Sequence, residues 1–141
     1  MLLDTNVISE VWRDKPNPLV MAWLDSQREE QLFVCTPVIA ELSYGIELLN
    51  DGKRKNRLSS AFTALFTEGY RGRILSFDAE AAVQFGRIRA QRDRIGRPVE
   101  PIDAMIAATA LANRMPLVTR NVHDFSDIGL DVIDPFSADP S

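Results

Sequence analysis

Short apolar runs alternate along this chain with longer segments in which apolar residues recur at helical spacing. The apolar runs are too short for helices and are bounded by turn residues, so they predict buried strands. The predicted strands are a very short one that ends at Asp4 and residues 32–35, 74–77, 116–119 and 132–133. Strands that alternate with helical segments are typical of a parallel α/β sheet. The pattern therefore predicts an α/β fold with a central sheet of about five short strands.

Capping residues indicate where the intervening helices begin. A first helix is expected from about Thr5, and the segment 15–18 breaks it, with Asn17 as the cap of a second helix. Thr36 is expected to cap a third helix and Asp78 a later one. Pro101 is expected to open an alanine-rich helix through about residue 113. No internal repeat or domain boundary is visible, and we expect a single domain over residues 1–141.

Composition removes several function classes. The net charge of −4 argues against a nucleic-acid-binding protein that is basic overall. An acidic protein can still carry local basic patches that bind nucleic acid. Cys35 is the only cysteine and is expected to be a buried apolar residue at a strand end, and His123 is the only histidine. These counts exclude a zinc site of the usual Cys/His ligand number. With neither a signal peptide nor a membrane-spanning segment expected, we predict a cytoplasmic protein.

Four acids occupy positions that a parallel sheet would bring together. Asp4 ends the first strand, Glu41 and Asp103 lie in early helical turns, and Asp124 follows the fourth strand with Asn121 beside it. Strand ends and the starts of following helices share one sheet edge, where such folds bind ligands. Carboxylates that converge repel one another unless a cation compensates them. All-oxygen ligands favour Mg²⁺ or Mn²⁺. Each acid taken alone is equally explained as a helix cap, a dipole partner or a turn residue.

Four motifs around these acids resemble those of PIN domains, in the same order and along nearly the whole chain. They are residues 3–7 (LDTNV), 36–42 (TPVIAEL), 101–108 (PIDAMIAA) and 119–125 (TRNVHDF). Among PIN domains, the chain looks most similar to VapC toxins of the FitB-like group. The resemblance implies a PIN-like three-layer fold with helices on both sides of the sheet. It also implies Mg²⁺- or Mn²⁺-dependent cleavage of RNA, a homodimer and a cognate antitoxin.

Carried over by motif, Asp4, Glu41 and Asp103 are the core acids, with Asp4 and Asp103 expected to hold the metal most directly. The fourth acidic role falls to Asp124 or to the position of Asn121. Candidate positioning residues are Thr5, Asn6, Thr119, Arg120 and Asn121. Capping of the adjacent helix or turn explains Thr5, Asn6 and Thr119 equally well.

The expected activity is hydrolysis of RNA phosphodiester bonds as the toxin of a type II toxin–antitoxin pair. A bound cation acidifies its water, so no histidine base is needed. A catalytically inactive PIN-like module that binds RNA or protein is the alternative function. A small-molecule phosphatase or nucleotide-binding domain also stays open, although no glycine-rich phosphate loop is present.

Two clusters of basic residues, 53–57 and 87–97, fit either phosphate contact or a solvated helix face, and Arg120 is expected to approach the substrate. The homodimer surface is expected on two neighbouring helices. Its candidate residues are Ile46, Leu49, Leu58, Phe62, Leu65 and Phe66. The antitoxin is expected to lay an apolar helix beside the site and to extend an arginine or lysine toward the acids.

Overall fold

Five short strands form the centre of the molecule. The computed structural model describes residues 1–139. The strands are β1 (Leu2–Leu3), β2 (Val34–Cys35), β3 (Ile74–Leu75), β4 (Leu117–Val118) and β5 (Val132–Ile133). All pair in parallel, as β1-β4-β5 and as β2-β3. A parallel bridge between Leu2 and Phe33 joins the two groups. The resulting order is β3-β2-β1-β4-β5, which confirms the predicted parallel sheet.

Within residues 1–139, six helices pack around this sheet. They are α1 (Thr5–Val11), α2 (Pro18–Asp25), α3 (Thr36–Glu47), α4 (Lys53–Ala64), α5 (Ala79–Arg94) and α6 (Pro101–Ala112). A π-helical turn (Leu65–Gly69) continues α4, and 3₁₀ turns cover Glu29–Gln31 and Val122–Phe125. Helix α5 packs closely on α6. The fold class is therefore the α/β arrangement that the sequence predicts.

The core lies where the central strands meet the alanine-rich helix α6. Leu2, Leu3, Leu117 and Val118 are almost completely buried. The side chains of α6 are small enough to lie directly on the sheet, and its buried positions are Ala104, Ile106, Ala107, Ala108, Thr109 and Ala110. Cys35 is fully buried at the end of β2, as expected, and burial raises the pKa of its thiol to about 12. It is thus a packing residue and not a nucleophile.

Some local predictions are wrong. Thr36 is the first residue of α3 and not its cap, because its hydroxyl accepts a hydrogen bond from the Phe77 N–H at 3.0 Å. The six residues expected to form the dimer surface are buried or half-buried within the chain, and the rings of Phe62 and Phe66 pack edge to face. Among residues 1–139, no helix is long and apolar enough to cross a membrane.

Candidate active site

Asp4 lies at the centre of the sheet edge formed by the carboxyl ends of the strands. It follows β1 directly and caps α1, where one carboxylate oxygen accepts the Thr5 N–H at 2.8 Å. Its other oxygen accepts the Thr119 hydroxyl at 2.6 Å and the Asn6 side-chain amide at 3.3 Å. The side chain is only 2% exposed. These bonds fix the direction of the Asp4 carboxylate in the folded protein.

Thr119, which follows β4, links this carboxylate to the neighbouring loop. Besides donating to Asp4, its hydroxyl accepts the Asn6 amide at 3.2 Å and the Asn121 backbone N–H at 3.0 Å. Asn6 also accepts the Arg120 backbone N–H at 3.2 Å. Asn6 and Thr119 thus position Asp4, while Asn121 contributes its backbone and leaves its side chain exposed.

The structure brings the other three predicted acids near Asp4. Burial first, and then the negative charges of Asp4, Glu41 and Asp124, together raise the pKa of Asp103 to about 7. Burial likewise raises the pKa of Asp4, with smaller contributions from Glu41 and Asp124. Such mutual effects require short distances. The four carboxylates therefore share one region of negative potential, to which Asp124 contributes.

The chemistry of this donor set, and not its present geometry, fits a hard divalent cation. Within residues 1–139, no group of three or more His, Cys, Asp or Glu side chains is arranged so that it could hold a metal ion. The carboxylates nevertheless offer only oxygen atoms, which is the ligand type of Mg²⁺ and Mn²⁺. The Thr5 hydroxyl beside Asp4 is also buried without a hydrogen-bond partner in the described part of the chain. An unsatisfied buried polar atom commonly indicates a bound water or ion.

Two contacts hold the half-exposed side chain of Arg120. Its guanidinium pairs with the buried Glu10 at 3.1 Å and lies 3.9 Å from the centre of the Phe136 ring. His123, one residue before Asp124, is exposed and contributes a backbone carbonyl to the hydrogen bonds of this loop. Arginine side chains such as that of Arg92, and not the ring of His123, therefore hold the loop around Asp124.

Two buried charged residues near the site were missed by the sequence interpretation. Glu10, in α1, binds Arg13, Arg120 and the Asn17 N–H. Its three-residue spacing from Arg13 was a readable signal, since such helical pairs attract. Arg92, in α5, donates to three backbone carbonyls, for which the sequence carries no signal.

The chain is similar to known toxins over almost its full length. The PIN domain family matches residues 1–130. VapC ribonuclease Y4jK of Sinorhizobium fredii is 35% identical, over 96% of this chain and 97% of the relative. Toxin FitB of Neisseria gonorrhoeae is 38% identical, over 96% of this chain and 98% of the relative.

Superposition on solved structures indicates the same family as the sequence relatives do. A structure of FitAB bound to an IR36 DNA fragment contains a chain that superposes with a TM-score of 0.91 at 37% identity. That match covers 98% of this chain and 96% of the other. On the family match, the close relatives and the superposition together, this chain is a member of the PIN-domain family.

Proposed function

We propose that this chain is a Mg²⁺- or Mn²⁺-dependent endoribonuclease and the toxin of a toxin–antitoxin pair. The observation that carries the proposal is the group of carboxylates at the sheet edge. Asp4 and Asp103 have raised pKa values because they are buried and because neighbouring acids repel their charges. A structural role would not require this repulsion, whereas a cation site does.

The chain's own residues then have distinct roles. Asp4, fixed by Thr119, Asn6 and the Thr5 N–H, would hold the metal together with Asp103. When bound, a divalent cation supplies positive charge that offsets the scissile phosphate and acidifies a nearby water. Glu41 lines a groove that Thr5 and Asn6 also border, and its carboxylate would orient the attacking water. Asp124 completes the negative charge from the opposite loop.

The relatives support the biological role. One is named a VapC ribonuclease and another the toxin FitB, and the superposed structure is a FitAB complex on DNA. A toxin of this kind is controlled by a partner protein, so we propose that a cognate antitoxin binds this chain. RNA is the proposed substrate.

Loss of the central acids tests the proposed activity. Asp4→Asn and Asp103→Asn should each reduce Mg²⁺-dependent cleavage of a mixed RNA substrate by at least 10²-fold, because each removes a proposed ligand. Cleavage is measured on gels with and without excess EDTA, and circular dichroism establishes that the variants fold. Asp93→Asn, an exposed acid in α5, is the matched control and should cleave normally.

The same assay separates the enzyme from an inactive binding module. Wild-type protein that binds RNA but does not cut it with either metal would favour the module. Full cleavage by a folded Asp103→Asn variant, or by wild type in excess EDTA, would contradict the metal mechanism.

A further inference from the structure

Helix α1 carries a buried carboxylate that the proposed chemistry does not use. Glu10 is 3% exposed and accepts hydrogen bonds from the Arg13 guanidinium at 3.3 Å and the Arg120 guanidinium at 3.1 Å. It also accepts the Asn17 backbone N–H at 3.0 Å. The two arginine side chains remain 65% and 50% exposed. One buried anion therefore holds two guanidiniums at the surface, with N–H groups left for another anion.

This arginine pair is coupled to the candidate active site. The Arg120 guanidinium also lies 3.9 Å from the centre of the Phe136 ring, which restricts its rotation. The Arg120 backbone N–H donates to Asn6, and Asn6 in turn donates to Asp4. The arginine pair is therefore linked to the acid at the centre of the site through the backbone of Arg120 and the side chain of Asn6.

A groove links one of the candidate acids, Glu41, to these cations. It has a volume of about 500 Å³ and is formed by α1, α3 and α4, with Thr5 and Glu41 among its lining residues. Arg13, Arg54 and Arg120 also line it. A neighbouring pocket of about 450 Å³ shares Arg13 and Arg54 and adds Lys15, Arg57 and one acid, Asp14. The two pockets therefore present several basic side chains, of which Arg57 is paired with Asp14.

The floor of the groove is apolar. Leu42, Ile46 and Leu58 contribute to its lining, and Ile46 and Leu42 are themselves part of the buried interior. A groove with apolar surface on its floor and cations on its rim suits a ligand with flat apolar groups and regularly spaced anions. Single-stranded nucleic acid has this chemistry, because bases pack on apolar surfaces while phosphates bind arginine.

We propose that this groove binds the RNA strand beside the scissile bond, and that Arg13 and Arg120, held by Glu10, clamp one of its phosphates. The inference rests on the proposed ribonuclease activity and adds a binding subsite to it. Arginine is suited to this role because its planar fork bonds phosphate oxygens in pairs. Glu10 is a positioning residue that keeps the two forks side by side.

The salt dependence of RNA binding tests the clamp. A single-stranded RNA is titrated with the Asp103→Asn variant, which should not cut it, at several salt concentrations. Adding Arg13→Ala and Arg120→Ala should weaken binding at least tenfold and lower the slope of log K against log salt by about 0.7 to 1.4, one to two phosphate contacts. Arg28→Ala is the control, because Arg28 is an exposed arginine paired with Glu30 and lines neither pocket. It should change neither quantity.

A second variant separates positioning from charge alone. Glu10→Gln retains both arginines and makes the protein more positive by one charge. If the arginines act only as bulk charge, RNA binding should tighten. If Glu10 holds the clamp, binding should weaken several-fold in protein whose circular dichroism is unchanged. Tighter binding by folded Glu10→Gln would overturn the positioning role.

These experiments separate failure of the phosphate clamp from failure of the proposed ribonuclease activity. An unchanged salt slope in the double arginine variant, with normal cleavage by wild type, would overturn the clamp and leave the ribonuclease intact. Arginine substitutions that abolish antitoxin binding but leave RNA binding unchanged would assign the groove to the antitoxin and also overturn it. Absence of RNA binding by every variant would overturn both proposals.

Discussion

Asp103 shows how neighbouring charges change the chemistry of one residue. Its pKa is about 7 in the folded protein, against an ordinary value of 3.8, because of burial first and of the charges of Asp4 and Glu41 next. Between these pH values the folded state keeps a proton that the unfolded state has lost. Ionisation of Asp103 therefore destabilises the metal-free fold, by an amount that grows as pH rises from about 4 to about 7.

The variant Asp103→Asn should remove this pH dependence. Its free energy of unfolding, relative to wild type, should rise as pH increases from 4 to 7 and then level off. Urea unfolding in the presence of a chelator at five pH values measures the difference. Saturating Mg²⁺ should reduce it, because a bound cation stabilises the ionised carboxylate. A difference that stays constant with pH would show that the acids do not interact as described.

Residue positions at the site were more predictable than residue interactions. Asp4 and Asp103 could be placed because strand ends and helix starts follow from local pattern. The pairing of Arg120 with Glu10 could not be predicted, because 110 residues separate them in sequence. The prediction that Arg120 approaches the substrate therefore did not include the hydrogen bond of its guanidinium to Glu10. The roles of the four acids stay predictions until variants are measured.

At the scale of elements, Arg92 joins helix α5 to the loop that carries Asp124. Its guanidinium donates to the carbonyl oxygens of Arg97 at 2.6 Å, Ser126 at 2.8 Å and His123 at 3.3 Å. The side chain is 4% exposed. Arg97 reinforces the contact through an ion pair with Asp127 at 2.8 Å. The 3₁₀ turn Val122–Phe125 is therefore held from outside by α5.

Removal of this contact should affect both stability and activity. Arg92→Ala should cost about 2–4 kcal/mol in the free energy of unfolding, because it leaves buried carbonyl groups without donors. It should also lower cleavage at temperatures where the variant is still folded, because Asp124 loses its fixed position. Arg94→Ala, an exposed position on the same helix, should change neither quantity. Equal stability of the two variants would show that Arg92 does not hold the loop.

Helix starts were predictable where the cap is local. Asn17 and Asp78 cap α2 and α5 as the sequence predicts, since each accepts a backbone N–H within three residues. Thr36 was assigned as a cap because threonine before proline is typical of one. Its hydroxyl instead binds the backbone of Phe77, 41 residues away, beyond β3. A long-range contact of this kind leaves no local pattern in the sequence.

At the scale of the whole molecule, the exposed apolar side chains offer a second candidate for the dimer surface. Of the six residues first predicted for it, Ile46 and Leu65 are buried and the other four are half-buried. The large apolar side chains that remain exposed include Tyr44 on α3, Leu48 directly after that helix and Val83 on α5. These helix faces are now the candidates for an interface between two copies.

Charged substitutions on α3 should separate the dimer. Tyr44→Glu with Leu48→Glu should convert a dimer mass to a monomer mass in light scattering at micromolar concentration, because charges would be buried at the interface. Leu19→Glu, an exposed apolar position on α2, should leave the mass unchanged. A monomer mass for the wild-type protein would contradict the expectation of a homodimer.

Helix α1 also separates two grooves of different chemistry. One face borders the groove with Glu41 and the arginines, and the other borders a second groove of about 400 Å³. The second groove is mainly apolar, and its lining includes Val7, Ile8, Val11, Leu24 and Leu65. We expect the apolar helix of the antitoxin to bind in this second groove, whose lining residue Leu3 directly precedes Asp4. The antitoxin could then reach the acids without filling the basic groove.

Competition with metal follows from this arrangement. Asp4, Glu41, Asp103 and Asp124 attract any positive group, and an arginine from the antitoxin can bond carboxylates in pairs at every working pH. Antitoxin affinity should therefore fall several-fold in saturating Mg²⁺ and in Asp103→Asn, because each reduces the negative charge that an arginine would bind. Calorimetry with the purified antitoxin measures both effects. Affinity unchanged by Mg²⁺, by Asp103→Asn and by neutralising the basic residues of the antitoxin tail would instead mean that inhibition is steric or allosteric.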